Sequence, residues 1–495
     1  MLRKIRITLA AVVFTLITLL FLDFTGTLHT YLGWLAKIQF LPAVLALNFA
    51  VVAVLVLVTL AFGRIYCSVI CPLGIMQDVL AHINRKKNKY SYSKAKTVLR
   101  GAVLAGFIGA LVAGGTVVAS LLAPYSSFGR IAQNILQPAY IGVNNLLAMV
   151  AERMDSYMFY HQEVWVRAMP TLIVAIVTLV VITILAIRGG RTYCNTICPV
   201  GTVLGFVARF SRLKVVIDSN ACKNCGKCAK NCKSSCIDIE NHAVDYSRCV
   251  ACGNCLGQCN FNAISYGHKL TIDKENKIAA DYQAKQTDNG RRSFLIGAGI
   301  AMTATALAQE KKKVDGGLAI IEDKQLPKRK TPITPAGSLS ANHMAQHCTG
   351  CQLCVSECPN DVLRPSTNLD TFMQPKMEYD RGYCRIECNR CASVCPTGAI
   401  KPITLADKSS TQIGHAVVIK KNCISAIGEA ECGNCARHCP AGAIMMVHPG
   451  GDESKPMVPA VNESRCIGCG ACENLCPARP FSAIYVEGLE VHRTN

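Results

Sequence analysis

From Cys222 onward the chain repeats one cysteine pattern six times, and no other feature restricts its folding as much. Two runs, CKNCGKCAKNC from Cys222 and CVACGNCLGQC from Cys249, share the spacing C-x2-C-x2-C-x3-C. Four more follow: CTGCQLCVSECP from Cys348, CRIECNRCASVCP from Cys384, CISAIGEAECGNCARHCP from Cys423 and CIGCGACENLCP from Cys466, each closing on Cys-Pro. The first gap is one residue longer in the second of these and six longer in the third. In this spacing three thiolates on a tight loop wrap three irons of one [4Fe–4S] cube, and the fourth reaches another cube. Zinc ribbons would instead show paired C-x2-C units with longer gaps.

The spacing assigns ligands. Cys222, Cys225, Cys228 and Cys259 are expected to hold one cube, and Cys249, Cys252, Cys255 and Cys232 a second. Lys233 and Asn260 stand where a proline usually follows the fourth cysteine, and Cys236, four residues after Cys232, is surplus. Either Cys232 or Cys236 can serve, and spacing favours Cys232. Downstream, the ligands are Cys348, Cys351, Cys354, Cys358, Cys384, Cys388, Cys391, Cys395, Cys423, Cys432, Cys435, Cys439, Cys466, Cys469, Cys472 and Cys476. The whole set predicts six [4Fe–4S] clusters.

The N-terminal region is apolar. Four stretches, Ile7–Leu22, Leu41–Phe62, Gly101–Ala123 and Thr171–Ile187, read as membrane spans, although the first and fourth fall short of the ~20 residues a crossing needs. Arg3, Lys4 and Arg6 precede the first, and a basic cluster from Arg85 to Arg100 lies between the second and third. The opposite loops carry little more than Lys37, Arg130, Arg153 and Arg167. The positive-inside rule therefore puts the N-terminus and the first cysteine-rich domain in the cytoplasm. NNLLAMVAERM and the aromatic residues after it suit an interfacial helix with an aromatic belt.

At the inner ends of the second and fourth spans the chain repeats itself, as GRIYCSVICPLG and GRTYCNTICPVG. The repeat should bring Cys67, Cys71, Cys194 and Cys198 together, either as one further metal centre or as redox dithiols. The formal charge of +20 suggests nucleic acid at first sight. Each oxidised cube with four thiolates carries about −2, however, and the remaining surplus sits beside the spans, so no nucleic-acid partner is expected.

The stretch GRRSFLIGAGIAMTATALAQ begins at Gly290. Arg291–Arg292, a short weakly apolar run and an Ala-x-Ala ending have the form of a twin-arginine export signal placed inside a chain. That route moves proteins already folded, as a tail loaded with cofactors requires. Cleavage after Ala308 stays open, and the charged tract 309–338 reads as a tether. The expected organisation is a transmembrane domain (1–200), a cytoplasmic two-cluster domain (201–285), a twin-arginine signal or fifth span (286–309), a linker (310–340) and a periplasmic four-cluster domain (341–495). The fold class is a membrane all-α bundle, four spans plus the twin-arginine-like segment, carrying two α+β ferredoxin-like domains.

On these motifs residues 1–270 resemble the NapH family of membrane quinol dehydrogenase subunits. Residues 290–495 resemble NapG and the related MauM ferredoxins. The resemblance implies an electron-transfer protein of the bacterial inner membrane, linking the quinone pool or a cytoplasmic donor to a periplasmic reductase or cytochrome partner, with lipid around its spans. It also implies crossed sharing of ligands in the last domain. The cubes would then be Cys348/Cys351/Cys354/Cys476, Cys466/Cys469/Cys472/Cys358, Cys384/Cys388/Cys391/Cys439 and Cys432/Cys435/Cys423/Cys395. The alternative is a metal-reducing assembly factor, because CKSSCIDI is similar to a region of the CcoG family, which lacks the four-cluster domain. No acid–base pair, nucleotide-binding glycine loop or open metal site is recognisable, which leaves quinol oxidation as the one turnover to consider.

Overall fold

The computed structural model describes residues 2–23, 25–83, 90–156, 158–267 and 322–494. The twin-arginine segment lies outside the described residues, as do most of the basic cluster after the second expected span and the first part of the expected linker.

Two helices, α1 (Leu2–Leu22) and a later one at Met169–Gly189, are long and apolar enough to cross a membrane. Each has 21 residues, which at 1.5 Å per residue is roughly 30 Å. Less than a third of either is buried in the protein. The other two expected spans are each divided. Leu41–Phe62 becomes a helix at Phe40–Leu45 and then α2 (Phe49–Phe62). The break lies at Leu47, which has φ 53°, and Asn48, whose side chain accepts from Val51 N at 3.3 Å. Gly101–Ala123 becomes α4 (Thr97–Val112), following α3 (Pro72–Ile83), and then a helix at Thr116–Leu122, broken at Gly114 with φ 76°. A left-handed residue ends the ladder of helical hydrogen bonds, so neither stretch is one continuous helix. The outward faces are apolar: Val54, Leu57, Ile108, Ile173, Val177 and Val181 are all exposed.

Between the third stretch and Met169–Gly189 the chain forms α5 (Pro124–Ile131) and α6 (Gln137–Glu152), which makes Met169–Gly189 α7, and α8 follows at Pro199–Ala208. The expected interfacial segment NNLLAMVAERM falls mostly on α6. Every residue of α5 is buried, including Arg130, which as a sequence reads as a loop cation. Packing against α3 and α7 carries this helix inside the bundle.

The first cysteine-rich module is small. Strand β1 (Lys214–Ile217) pairs antiparallel with β4 (Ile264–Gly267), and a two-residue ladder joins β2 (Ile237–Asp238) to β3 (Ala243–Val244). It is tied to the C-terminal end of α2, where Arg212 N and Leu213 N donate to Leu60 O (2.7 Å) and Ala61 O (2.9 Å). The Tyr266 hydroxyl donates to Phe62 O at 2.8 Å.

In the C-terminal module β5 (Leu363–Pro365) pairs with β6 (Pro375–Met377), β7 (Thr411–Val418) with β10 (Ile484–Thr494), and β8 (Ile444–Val447) with β9 (Val458–Val461). Residues 322–340, expected as the end of a tether, pack onto this module instead. Lys324 Nζ donates to the carbonyls of Glu473, Asn474 and Cys476 at 2.7, 2.8 and 3.1 Å, and Ser338 is fully buried. The satisfied polar groups outweigh the high charge that makes this stretch look solvated.

The two modules hold opposite ends of the helical bundle. The first meets the C-terminal ends of α2 and α7, the start of α4 at Arg100 and the start of α1 at Arg3. The second meets the far ends. His29, just after α1, lies 3.5 Å from Glu357, Gln374 Nε2 donates to Thr116 Oγ1 at 2.8 Å, and Arg167, just before α7, approaches Asp361 at 3.4 Å.

Candidate iron–sulfur sites

In the first module Cys222, Cys225, Cys228 and Cys259 line one cavity, the grouping expected from their spacing. Cys249, Cys252 and Cys255 line a second together with both Cys232 and Cys236. The sulfurs of Cys232 and Cys236 are 3.5 Å apart. The hydrogen bond between the two thiols holds the Cys232 pKa below the ordinary thiol value, and both residues reach the cavity, so the geometry admits either as the fourth ligand.

In the C-terminal module the fourth ligands pair differently from the crossed arrangement. Cys358 lines a cavity with Cys384, Cys388 and Cys391, Cys439 with Cys466, Cys469 and Cys472, and Cys476 with Cys423, Cys432 and Cys435. Cys395 lies within Coulombic reach of Cys348, Cys351 and Cys354. The first run therefore shares with the second and the third with the fourth. Local closure explains the correction. Helix Leu353–Ser356 packs on Arg390–Val394, and Asn434–Arg437 packs on Ala471–Leu475. Pairing neighbours closes shorter loops and costs less chain entropy.

The residues fit [4Fe–4S] clusters. Main-chain N–H groups point at the sulfurs: Gly350 to Cys348 (3.4 Å), Ile400 to Cys395 (3.4 Å), Ala443 to Cys439 (3.2 Å) and Ala483 to Cys476 (3.3 Å). Such donors stabilise charge on thiolates and tune a cluster's potential. A bound cluster supplies one-electron chemistry. The two halves of the module touch where Cys384 N donates to Cys469 O at 2.9 Å.

The repeated motifs meet in the bundle with a local two-fold relation. Gly63 and Gly190 both have positive φ, 73° and 63°, where a side chain would be strained. The arginine after each crosses to the other repeat. Arg64 Nη2 donates to Cys194 O at 3.2 Å, and Arg191 Nη1 donates to Cys67 O. The closing glycines admit these carbonyls: a Cβ on Gly74 or Gly201 would lie 2.3 Å from Cys67 O or Cys194 O. Cys67, Cys71, Cys194 and Cys198 are all buried free thiols, brought together as the repeat predicts. Gln77 Nε2 donates to Cys194 Sγ at 3.2 Å, and Gly201 N to Cys198 Sγ at 3.3 Å.

The symmetry fails at Asp78 and its counterpart. Asp78 takes Arg191 Nε at 2.9 Å and also meets Arg6 and Lys233, at 3.3 and 3.4 Å. The equivalent position in the second repeat is Gly205, whose missing side chain makes room for Ser247 O; a Cβ there would lie 2.5 Å from it. That carbonyl accepts from Arg64 Nη1 at 2.9 Å. Sequence reasoning gave roles to the cysteines of the motif and missed Arg64, Arg191, Gly74 and Gly201, which the repeated pattern displays. Arg130, Asp78 and Gln77 carried no comparable signal.

The family described as a 4Fe-4S binding domain matches residues 44–90 and 169–217, and each match encloses one copy of the repeat. Two families described as a 4Fe-4S dicluster domain match residues 347–399 with 430–479, and residues 245–362. Among curated relatives, the chain is 29% identical over 194 residues to YccM of Escherichia coli (strain K12), whose name assigns it to electron transport, covering 39% of this chain and 48% of YccM. It is 28% identical over 171 residues to the methylamine utilization ferredoxin-type protein MauN of Paracoccus denitrificans, covering 34% of this chain and 48% of MauN. The chain thus spans about half the length of these two. With the methylamine utilization ferredoxin-type protein MauM of Methylobacillus flagellatus it is 31% identical over 168 residues, covering 32% of this chain and 70% of MauM. No solved structure matches the chain. The cysteine cavities and these similarities make it an iron–sulfur electron-transfer protein, and the chain belongs to the family of ferredoxin-type proteins that includes MauM.

Proposed function

We propose that this protein carries electrons across a bacterial cytoplasmic membrane. They pass from the quinone pool or a cytoplasmic donor to a periplasmic reductase or cytochrome that docks on the C-terminal module. One observation carries the reading: the two cysteine-rich modules hold opposite ends of one helical bundle. The bundle's long helices match the ~30 Å hydrocarbon layer, and their exposed faces are apolar. Exposed apolar surface of this extent marks contact with lipid or a partner. The Arg291–Arg292 segment gives the tail a route outward. The cavity of Cys423, Cys432, Cys435 and Cys476 is lined by Ile424, Met446 and Pro459, an apolar rim suited to a docking acceptor.

Protease added to intact spheroplasts tests the sidedness. Loss of the tail from residue 322 onward, with residues 205–267 protected, is expected. Protection of both modules, or digestion of both, refutes the reading.

A further inference from the structure

Of the four quartets in the C-terminal module, one is built into the helical bundle. Cys348, Cys351 and Cys354 are all buried, more than in any of the other three quartets. Their loop is pinned from the bundle side. Gln374 Nε2 joins it to the helix Thr116–Leu122, donating to Thr116 Oγ1 at 2.8 Å and to Cys348 O at 3.3 Å. Asn134 Nδ2, just past α5, donates to Gln352 Oε1 at 2.9 Å. A Cβ on Gly129 would sit 2.3 Å from Cys351 O, so the backbone of α5 lies against the loop with no side chain between them.

The residue after that glycine is Arg130, which is fully buried. Its Nη1 donates to Ser120 O at 2.5 Å and its Nη2 to Ser127 Oγ at 3.2 Å, while Nε has no hydrogen-bond partner. Among the described residues no carboxylate lies within ion-pair distance of it. A neutral donor would serve Ser120 O without the cost of burying a charge. The Cys348 loop supplies the missing negative charge, because Arg130 lies within Coulombic reach of Cys351. The neighbouring quartet has a cation from its own module, buried Lys408, which donates to Arg385 O and Cys388 O. The first quartet takes its cation from the bundle.

The other end of α5 faces the repeated motif. The Tyr193 hydroxyl donates at 2.8 Å to Leu122 O, at the head of α5. Tyr193 precedes Cys194 and lies within Coulombic reach of Cys71 and Cys198 as well as Arg130. Eight residues of helix, about 12 Å long, thus lie between the repeat and the Cys348 loop. Beyond that loop the next quartet is adjacent, because Leu353–Ser356 packs on Arg390–Val394.

The geometry points to Cys348, Cys351, Cys354 and Cys395 as the port through which electrons enter the C-terminal module, with Arg130 setting the port's reduction potential. It rests on the electron-transfer reading above and gives that reading an entry point. One electron leaves the iron–sulfur group that the matched family describes for the bundle, which is oxidised, and reduces the cluster of this quartet, with no bond made or broken. A fixed positive charge beside the quartet favours the more negative, reduced state and so raises its potential. Because that charge belongs to the bundle, the port is tuned only while the module is docked.

The test uses the full chain purified anaerobically in mild detergent, with each electron paramagnetic resonance signal titrated against potential. Cys351→Ser identifies the port's signal by its loss. In Arg130→Gln the midpoint of that signal should fall, so that at a fixed potential its reduced-to-oxidised ratio drops about tenfold (~59 mV for one electron). The other midpoints should stay, and Arg130→Lys should restore the first. An unmoved midpoint in a folded Arg130→Gln, or an equal shift of every signal, overturns the proposal. Should that variant fail to fold, Asn134→Asp sets a carboxylate one turn from Arg130 against the same loop; the same drop is expected, and its absence overturns the proposal. The port is tested in sealed vesicles with the first module outward, where external dithionite feeds only that side. In Cys351→Ser the other C-terminal signals should lag far behind the wild type, although dithionite reduces them directly in detergent. Should Cys351→Ser fail to fold, the signal that Asn134→Asp shifts marks the port, and in the rapidly frozen wild type it should be reduced before the other C-terminal signals. Reduction of those signals at the wild-type rate in Cys351→Ser, or before the port in the wild type, overturns the proposal and leaves the electron-transfer reading intact. Only failure of the wild type to reduce its C-terminal module refutes that broader reading.

Discussion

The guanidinium of Arg64 donates to the main-chain carbonyl of Cys194 at 3.2 Å, although 130 residues separate them, and Arg191 makes the same contact with Cys67. The two copies of the motif are therefore latched by exchange of arginines. The glycine at the end of each copy is part of the latch, because it leaves space for the carbonyl the arginine binds.

Gly74→Ala and Gly201→Ala should each break this latch. The added methyl would meet a backbone oxygen at 2.3 Å, which cannot swing aside as a side chain would. Overpacking of this kind costs about 1–3 kcal/mol. A lower Tm of the purified protein is expected. An unchanged Tm would show that the two motifs are not held in this arrangement.

Asp78→Asn removes the carboxylate shared by Arg6, Arg191 and Lys233. Arg191 is fully buried, and leaving such a cation unpaired costs about 3–5 kcal/mol. Thermal melting should show a larger loss for Asp78→Asn than for Asp245→Asn, whose pairing with Arg248 lies nearer the surface. Equal losses would place the charge balance of the bundle elsewhere.

Ligand sharing can be read from pairs of variants. Cys476→Ser and Cys432→Ser should abolish the same paramagnetic signal, because both residues line one cavity. Cys476→Ser and Cys351→Ser should abolish different ones. The crossed arrangement expects the reverse.

His492 gives the C-terminal module an acid-sensitive element. Burial pushes its pKa down to about 4, from an ordinary value of 6.5, and its Nε2 meets Thr334 Oγ1 at 3.0 Å. Above pH 6.5 the imidazole is neutral whether the module is folded or unfolded, and it costs nothing. As pH falls from 6.5 towards 4 the unfolded chain takes up the proton and the folded one does not, so stability declines. His492→Gln should flatten the change in Tm between pH 7 and pH 5. A variant as acid-sensitive as the wild type would rule out this residue as the cause.

The chemistry of the cysteines was legible in the chain because it is local. Three thiolates on one loop, seven residues long in four of the runs, eight from Cys384 and thirteen from Cys423, read as a cluster corner whatever the rest of the fold does, so the candidate ligand runs could be named from spacing. The repeat flanking Cys67 and Cys194 announced that four thiols would meet, and the apolar stretches around it announced helices. Which fourth cysteine completes which quartet was not legible. Cys395 and Cys476 sit in equivalent Cys-Pro contexts, and only the packing of neighbouring short helices separates their partners. The breaks at Leu47 and Gly114 were hidden for a similar reason, since apolar composition carries no record of a single left-handed residue.

Tertiary structure alone decided the charges. In the sequence Arg130 is one basic residue in a loop, and Arg64 one letter of a motif. Burial turns each into a cation that must find negative charge or carbonyl oxygen, and the fold aims both at sulfur-bearing loops. The cost of an unpaired charge depends on the dielectric around it, which long-range packing sets and no short stretch of sequence encodes.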